Sequence, residues 1–229
     1  MADNIARVFA DAIATDPTRP LLTWYDDASG DRTELSGATL ANWVSKTANL
    51  LVDEVGLGPG DPAGALLPPH WQTAAVLLGC WSAKLNVLDK PGDVDVLFAA
   101  ADRADEAQSW PTGDRYALGL LPLAAPLRQT PAGFVDYVVE VRRHGDHFTP
   151  QPGPGPADER LLAHAQTRAA ELGITRGARI LVNATAYPDP VDWLLAPLTQ
   201  AASVVLCANL DPTRLPTRLT TEQVTHPLP

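Results

Sequence analysis

Apolar residues recur along this chain in two alternating rhythms, helical stripes and short unbroken runs, and the alternation predicts a succession of helices and strands. Asn4 can cap a helix that carries Ile5, Val8, Phe9, Ala12 and Ile13 on one face and ends at Asp16-Pro17. Residues 21–25 and 32–35 flank the turn-rich stretch 26–31, as two strands of a hairpin would. Ser36 can cap a longer helix with Leu40, Trp43, Val44, Ala48 and Leu51 on one side, closed by Gly56 and Gly58-Pro59-Gly60. A buried strand over 63–67 and a helix from His70 to about Lys84, apolar nearly all round, come next. Strands over 85–88, 94–99 and 116–121, with a helix over 102–109, complete a βαβ rhythm that predicts a parallel sheet.

Residues 134–143 (FVDYVVEVRR) mix helical spacing with β-branched residues, and helix is the favoured reading. The stretch 149–156 then places a proline at every second position, which forbids both helix and central strand. Beyond it the pattern predicts a helix over 161–172, a strand over 180–183, a helix over 191–200, a strand over 204–208 and a last helix from Asp211-Pro212. The helix, glycine turn and strand ending at Leu67 recur as the helix, Gly173–Gly177 turn and strand ending at Asn183. The expected organisation is therefore a mixed α/β chain of two Rossmann-like subdomains with largely parallel sheets flanked by helices, 1–148 and 157–229, joined by the Pro-rich loop 149–156.

Composition narrows the partners. The chain has 229 residues, 45% of them hydrophobic, and a net charge of -10. With only Lys46, Lys84 and Lys90 as lysines and scattered arginines, no cationic face for nucleic acid is expected. No apolar stretch reaches the ~20 residues of a membrane span, and Cys80 and Cys207 sit in apolar runs like buried free thiols. A cytoplasmic setting is the expectation, with neither membrane nor nucleic acid as partner.

From residue 33 to 88 the order of residues is more specific than any periodicity, with Gly58, Gly60, Asp61, Leu66, Leu67 and Pro68 at distinctive places. This segment resembles the N-terminal part of the adenylate-forming superfamily, which includes acyl-CoA synthetases, peptide-synthetase adenylation domains and luciferases. The stretch 172–225 resembles a later segment of the same family, and short bacterial proteins of unassigned function share the likeness. The resemblance implies an acetyl-CoA synthetase-like N-terminal fold. It also implies a loop of threonine, serine, glycine and lysine that wraps the triphosphate of ATP. Phe148 to Pro156 stands in that place, with four prolines that remove amide donors and no lysine later than Lys90. Losing a cation aimed at transition-state charge typically costs a factor on the order of 10² to 10³ in rate. The family's late catalytic lysine and its mobile lid have no counterpart before Pro229.

No catalytic residue, cofactor or metal is therefore expected. Thr112-Gly113-Asp114 copies the family's ribose-binding tripeptide out of order and reads as a turn, and His144-Gly145-Asp146-His147 reads as a solvated loop. The resemblance places Thr185, Tyr187 and Trp193 at a residual ligand crevice after the strand ending at Asn183. The preferred function is a non-catalytic remnant of an AMP-forming ligase that binds a small ligand or a partner protein. Two alternatives stand beside it: a split or divergent ligase completed by another chain supplying the lysine and lid, and a structural protein that self-associates as a homodimer.

Overall fold

The computed structural model describes residues 4–228 and resolves them into two compact units. One comprises residues up to Leu40, Pro69–Trp71 and Glu159 onward; the other comprises Ala41–Pro68 and Gln72–Asp158. The units are thus interleaved along the chain, whereas the Pro-rich loop suggested a division into 1–148 and 157–229. Strand pairing explains the interleaving, because a strand from the first forty residues lies inside the sheet built mainly by the last fifty.

In the first unit, α1 (Ile5–Ile13) begins where the Asn4 side chain accepts a hydrogen bond from the Arg7 amide at 2.7 Å. A hairpin follows, β1 (Pro20–Asp26) and β2 (Asp31–Ser36), and α2 (Gly37–Asn49) starts beyond it. Later in the chain this unit adds α5 (Asp158–Glu171), β8 (Arg179–Asn183), α6 (Ala196–Thr199), β9 (Ser203–Ala208), α7 (Leu215–Thr221) and β10 (His226–Leu228). Its sheet runs β10-β8-β9-β1-β2, parallel except for the hairpin, with Leu22 of β1 opposite Val204 of β9. The two central strands are nearly continuous apolar runs, as parallel strands covered on both faces must be.

The second unit holds β3 (Pro62–Leu66), α3 (Trp71–Ser82, shared at its first residue), β4 (Asn86–Leu88), β5 (Val96–Ala100), β6 (Asp114–Leu118), β7 (Val135–Asp136) and α4 (Tyr137–Val141). All five strands are parallel in the order β4-β3-β5-β6-β7, so the crossover direction reverses between β3 and β5. Every residue from Trp71 to Leu85 is buried, which accounts for a helix that is apolar all round. Gly64 interrupts the side-chain pattern of β3 for a packing reason: a Cβ there would lie 2.7 Å from the fully buried Trp110 ring. Under the same sheet Tyr137 and Thr47 satisfy each other through a 2.7 Å hydroxyl contact.

Five expectations need correction. The helix over 102–109 is two 3-10 turns, Ala101–Arg103 and Glu106–Ser109, held by an Arg103–Glu106 pair three residues apart. The strand over 116–121 runs from Asp114 to Leu118, stopped by Leu120 at φ 53°. Residues 134–143 are strand and helix in succession, because Asp136 pairs with Ala117 in β7 and then caps α4 by accepting from the Val138 and Val139 amides. The helix over 191–200 starts as a π turn, Val191–Leu195, before α6; Pro197 lacks the N–H that would bond the carbonyl of residue 193. The last helix begins at Leu215 instead of Asp211, and β10 was not anticipated because Pro227 argues against a strand except at a sheet edge, where it lies.

Candidate functional site

The Pro-rich segment 149–156 belongs to the second unit. Residues 149–156 form no helix or strand, as alternate prolines require. Its neighbour is the turn after α3, where Lys84 is only 8% exposed and adopts φ 63°. From there its ammonium donates to the Pro152 carbonyl at 2.7 Å. The Gly155 amide donates to the Asp158 carboxylate at 2.5 Å, and Asp158 itself is buried. One cation and one amide that could have faced a phosphate are thus engaged by the protein's own groups. The cavity beside this loop, lined by Val52, Leu57, Lys84, Phe148, Thr149 and Gln151 among others, holds about 140 Å³. Pockets for drug-sized ligands run to roughly 300–1,000 Å³. Sequence reasoning missed Lys84 because 68 residues separate it from its acceptor.

The glycine motif beneath the loop is structural, as its residues suggested. Asp61 accepts from the Gly58 amide at 2.7 Å, Gly60 turns at φ 95°, and the Asp61 carbonyl receives the Asn86 amide that opens β4. Thr112-Gly113-Asp114 likewise closes a turn, with the Thr112 hydroxyl donating to the Asp95 carbonyl at 3.0 Å.

In the first unit an open pocket of about 760 Å³ is lined by Arg19, Tyr25, Arg32, Glu34, Arg179 and Glu222, with others. Glu222 is its centre, accepting from Tyr25 Oη at 2.5 Å, from Arg32 at 3.0 Å and from Arg179. Burial alone would raise the Glu222 acid, but these three donors bring it below the usual carboxylate range. The Tyr25 phenol is pushed up, first by burial and then by its bond to Glu222. A second ion pair sits nearby in the chain, Arg218 on Asp27 at 2.6 Å, with the guanidinium over the Tyr25 ring. Its hydrogen bonds hold the Asp27 acid low.

Of the predicted ligand residues, Thr185 and Tyr187 lie in the loop after β8, where the Asn183 side chain and carbonyl receive their amides. Thr185 is exposed and Tyr187 half-buried, whereas Trp193 has no exposed surface and donates its ring N–H to the Pro188 carbonyl. His144 and His147 do not converge: His144 reaches Glu54 at 2.9 Å and His147 faces Thr149. Both cysteines are buried, and burial pushes Cys80 up to about 12 and Cys207 to about 11, so neither thiol is a ready nucleophile. No helix among the described residues is long and apolar enough to cross a membrane.

The fold matches that of the N-terminal part of acyl-CoA synthetases. The acyl-CoA synthetase of Brucella canis superimposes with a TM-score of 0.74 over 98% of this chain, at 19% identity. The anthranilate CoA ligase AuaEII in complex with anthranoyl-AMP matches 89% of the chain with a TM-score of 0.70 at 11% identity. The N-terminal domain of FACL13 from Mycobacterium tuberculosis matches 97% with a TM-score of 0.66, also at 11% identity. The chain spans 46%, 44% and 62% of those three structures. No protein-family model matches it. A TIGR03089 family protein of Mycobacterium tuberculosis (strain ATCC 25618 / H37Rv) is 42% identical over 228 residues, covering 94% of both chains. This chain belongs to the TIGR03089 family.

Proposed function

We propose that the chain is a non-catalytic relative of the AMP-forming ligases that binds a small ligand or a partner protein and does not adenylate a carboxylic acid. The observation that carries this reading is the loop 149–156, whose prolines lack donors, whose Pro152 carbonyl takes the Lys84 ammonium and whose Gly155 amide is bound to Asp158. A triphosphate needs converging amides and a cation, and would have to displace both contacts to reach the Lys84 ammonium and the Gly155 amide. In the ligand-binding half of the reading, Thr185 and Tyr187 of the loop after β8 meet the ligand, whereas the fully buried Trp193 offers it no surface. No cofactor enters this reading. Two buried thiols fit a reducing compartment such as the cytoplasm.

ATP–pyrophosphate exchange against a panel of carboxylic acids tests it, with the chain alone and with proteins encoded beside it. No exchange is expected; turnover in either arm would establish a ligase, in the second case one completed by another chain. Self-association is a second reading, favoured by Leu123, which is 86% exposed at a strained φ of 55° near exposed Leu121 in sequence. Light scattering that finds only monomer at high concentration removes it.

A further inference from the structure

The second unit carries a cluster that neither the fold nor the adenylate-forming resemblance uses. Glu140 lies in α4 and His144 four residues later, in the turns that continue it, so both point to one side of the chain. Glu54 reaches the same place from the π turn Leu50–Glu54 that extends α2. One oxygen from each carboxylate and one ring nitrogen of His144 all lie within 4.8 Å of one another. Side-chain exposures of 12% for Glu140 and His144, against 43% for Glu54, describe a recess with one open side.

We propose that Glu54, Glu140 and His144 bind a divalent transition-metal ion of the zinc type, with the remaining coordination position open to water. Two carboxylate oxygens and an imidazole nitrogen are a donor set that zinc accepts at about 2.0–2.2 Å, which sets its ligand atoms roughly 3.4 Å apart. The His144–Glu54 contact is already 2.9 Å, so the ligands need only small rotations to meet an ion. The backbone of the site is held in advance. Lys46 donates to the His144 carbonyl at 2.7 Å, and Asn49 donates to the Gly145 and His147 carbonyls at 2.8 and 3.0 Å. Arg143 pairs with Glu140 in the absence of an ion, but its side chain is 70% exposed and can withdraw to water without a buried cost.

The site lies four residues before Phe148 in the chain, so an ion would fix the root of the Pro-rich loop.

This inference holds whether or not the chain adenylates, and its test does not involve ATP. Tag-free, chelator-treated protein is titrated with zinc chloride by calorimetry, with thermal melts in parallel. One equivalent is expected to bind and to raise the melting temperature. His144→Ala and Glu54→Gln should each weaken binding by at least roughly tenfold, the scale already seen for groups that only orient a ligand. His147→Ala should bind as the wild type does. Glu54→Gln keeps a partner for His144, so it decides the matter if His144→Ala fails to fold. Absence of zinc binding by the wild type, or wild-type affinity in His144→Ala or Glu54→Gln, overturns the site, as does equal loss in His147→Ala.

Discussion

The two units each bury an ionised side chain, and they satisfy it in opposite ways. Glu222, 5% exposed at the end of α7, is met by a phenol and two guanidiniums from β1, β2 and β8. Lys84, 8% exposed after α3, meets one backbone carbonyl. The first arrangement knots four elements together through opposite charges, and its value is mostly that nothing in it is left unpaired. The second answers a charge with a dipole and fastens a single loop. The contrast separates a fixture of the sheet from a clasp that works beside the Gly155–Asp158 contact on one Pro-rich segment.

The sharpest way to break this comparison is Glu222→Ala, which leaves Arg179 buried without its carboxylate. Unfolding free energy should fall by about 3–5 kcal/mol in urea titrations. A loss under about 1 kcal/mol would mean that the knot behaves like a surface pair. Lys84→Met should cost less, about 1–3 kcal/mol for an orphaned carbonyl, and should speed proteolysis within 149–156 while the rest resists. Equal losses in the two variants would erase the distinction.

His70 has the smallest effect at neutral pH and sharpens the picture at lower pH. It is 2% exposed beside the Trp24 ring, and burial lowers it from 6.5 to about 3, so the folded chain keeps it neutral. As pH falls below 6.5 the unfolded chain takes up a proton that the folded chain refuses. Stability is therefore whole above 6.5 and drains as pH falls toward 3, by up to about 1.4 kcal/mol per pH unit. His70→Phe should flatten that slope in melts between pH 6.5 and 4.5. Below that range Asp27 and Glu222, both held low, add their own acid loss, which the variant leaves in place.

Much of the fold was legible because periodicity reports burial: the all-apolar α3, the runs of β5 and β9 and the Asn4 cap are local facts. What escaped were features that depend on distant or competing contacts. The 134–143 stretch satisfied both rhythms because it contains both structures, with Asp136 as the joint between them. The π turn before α6 follows from one missing amide at Pro197 and leaves no trace in hydrophobic spacing. At the candidate site the prolines were readable. The Lys84 clasp and the Glu54–Glu140–His144 group were not, since their members come together only through tertiary folding.

The pairing of β1 with β9 has a consequence for how the molecule assembles. Leu22 waits for Val204, whereas in the other sheet Val96 finds Asp114 close by in the chain. Closing so long a loop is entropically slow, and on a ribosome the partner strand emerges long after β1. The all-parallel sheet can consolidate while the opening hairpin still presents an unpaired edge, a period when association with a chaperone or misassembly with a neighbouring nascent chain competes with correct closure.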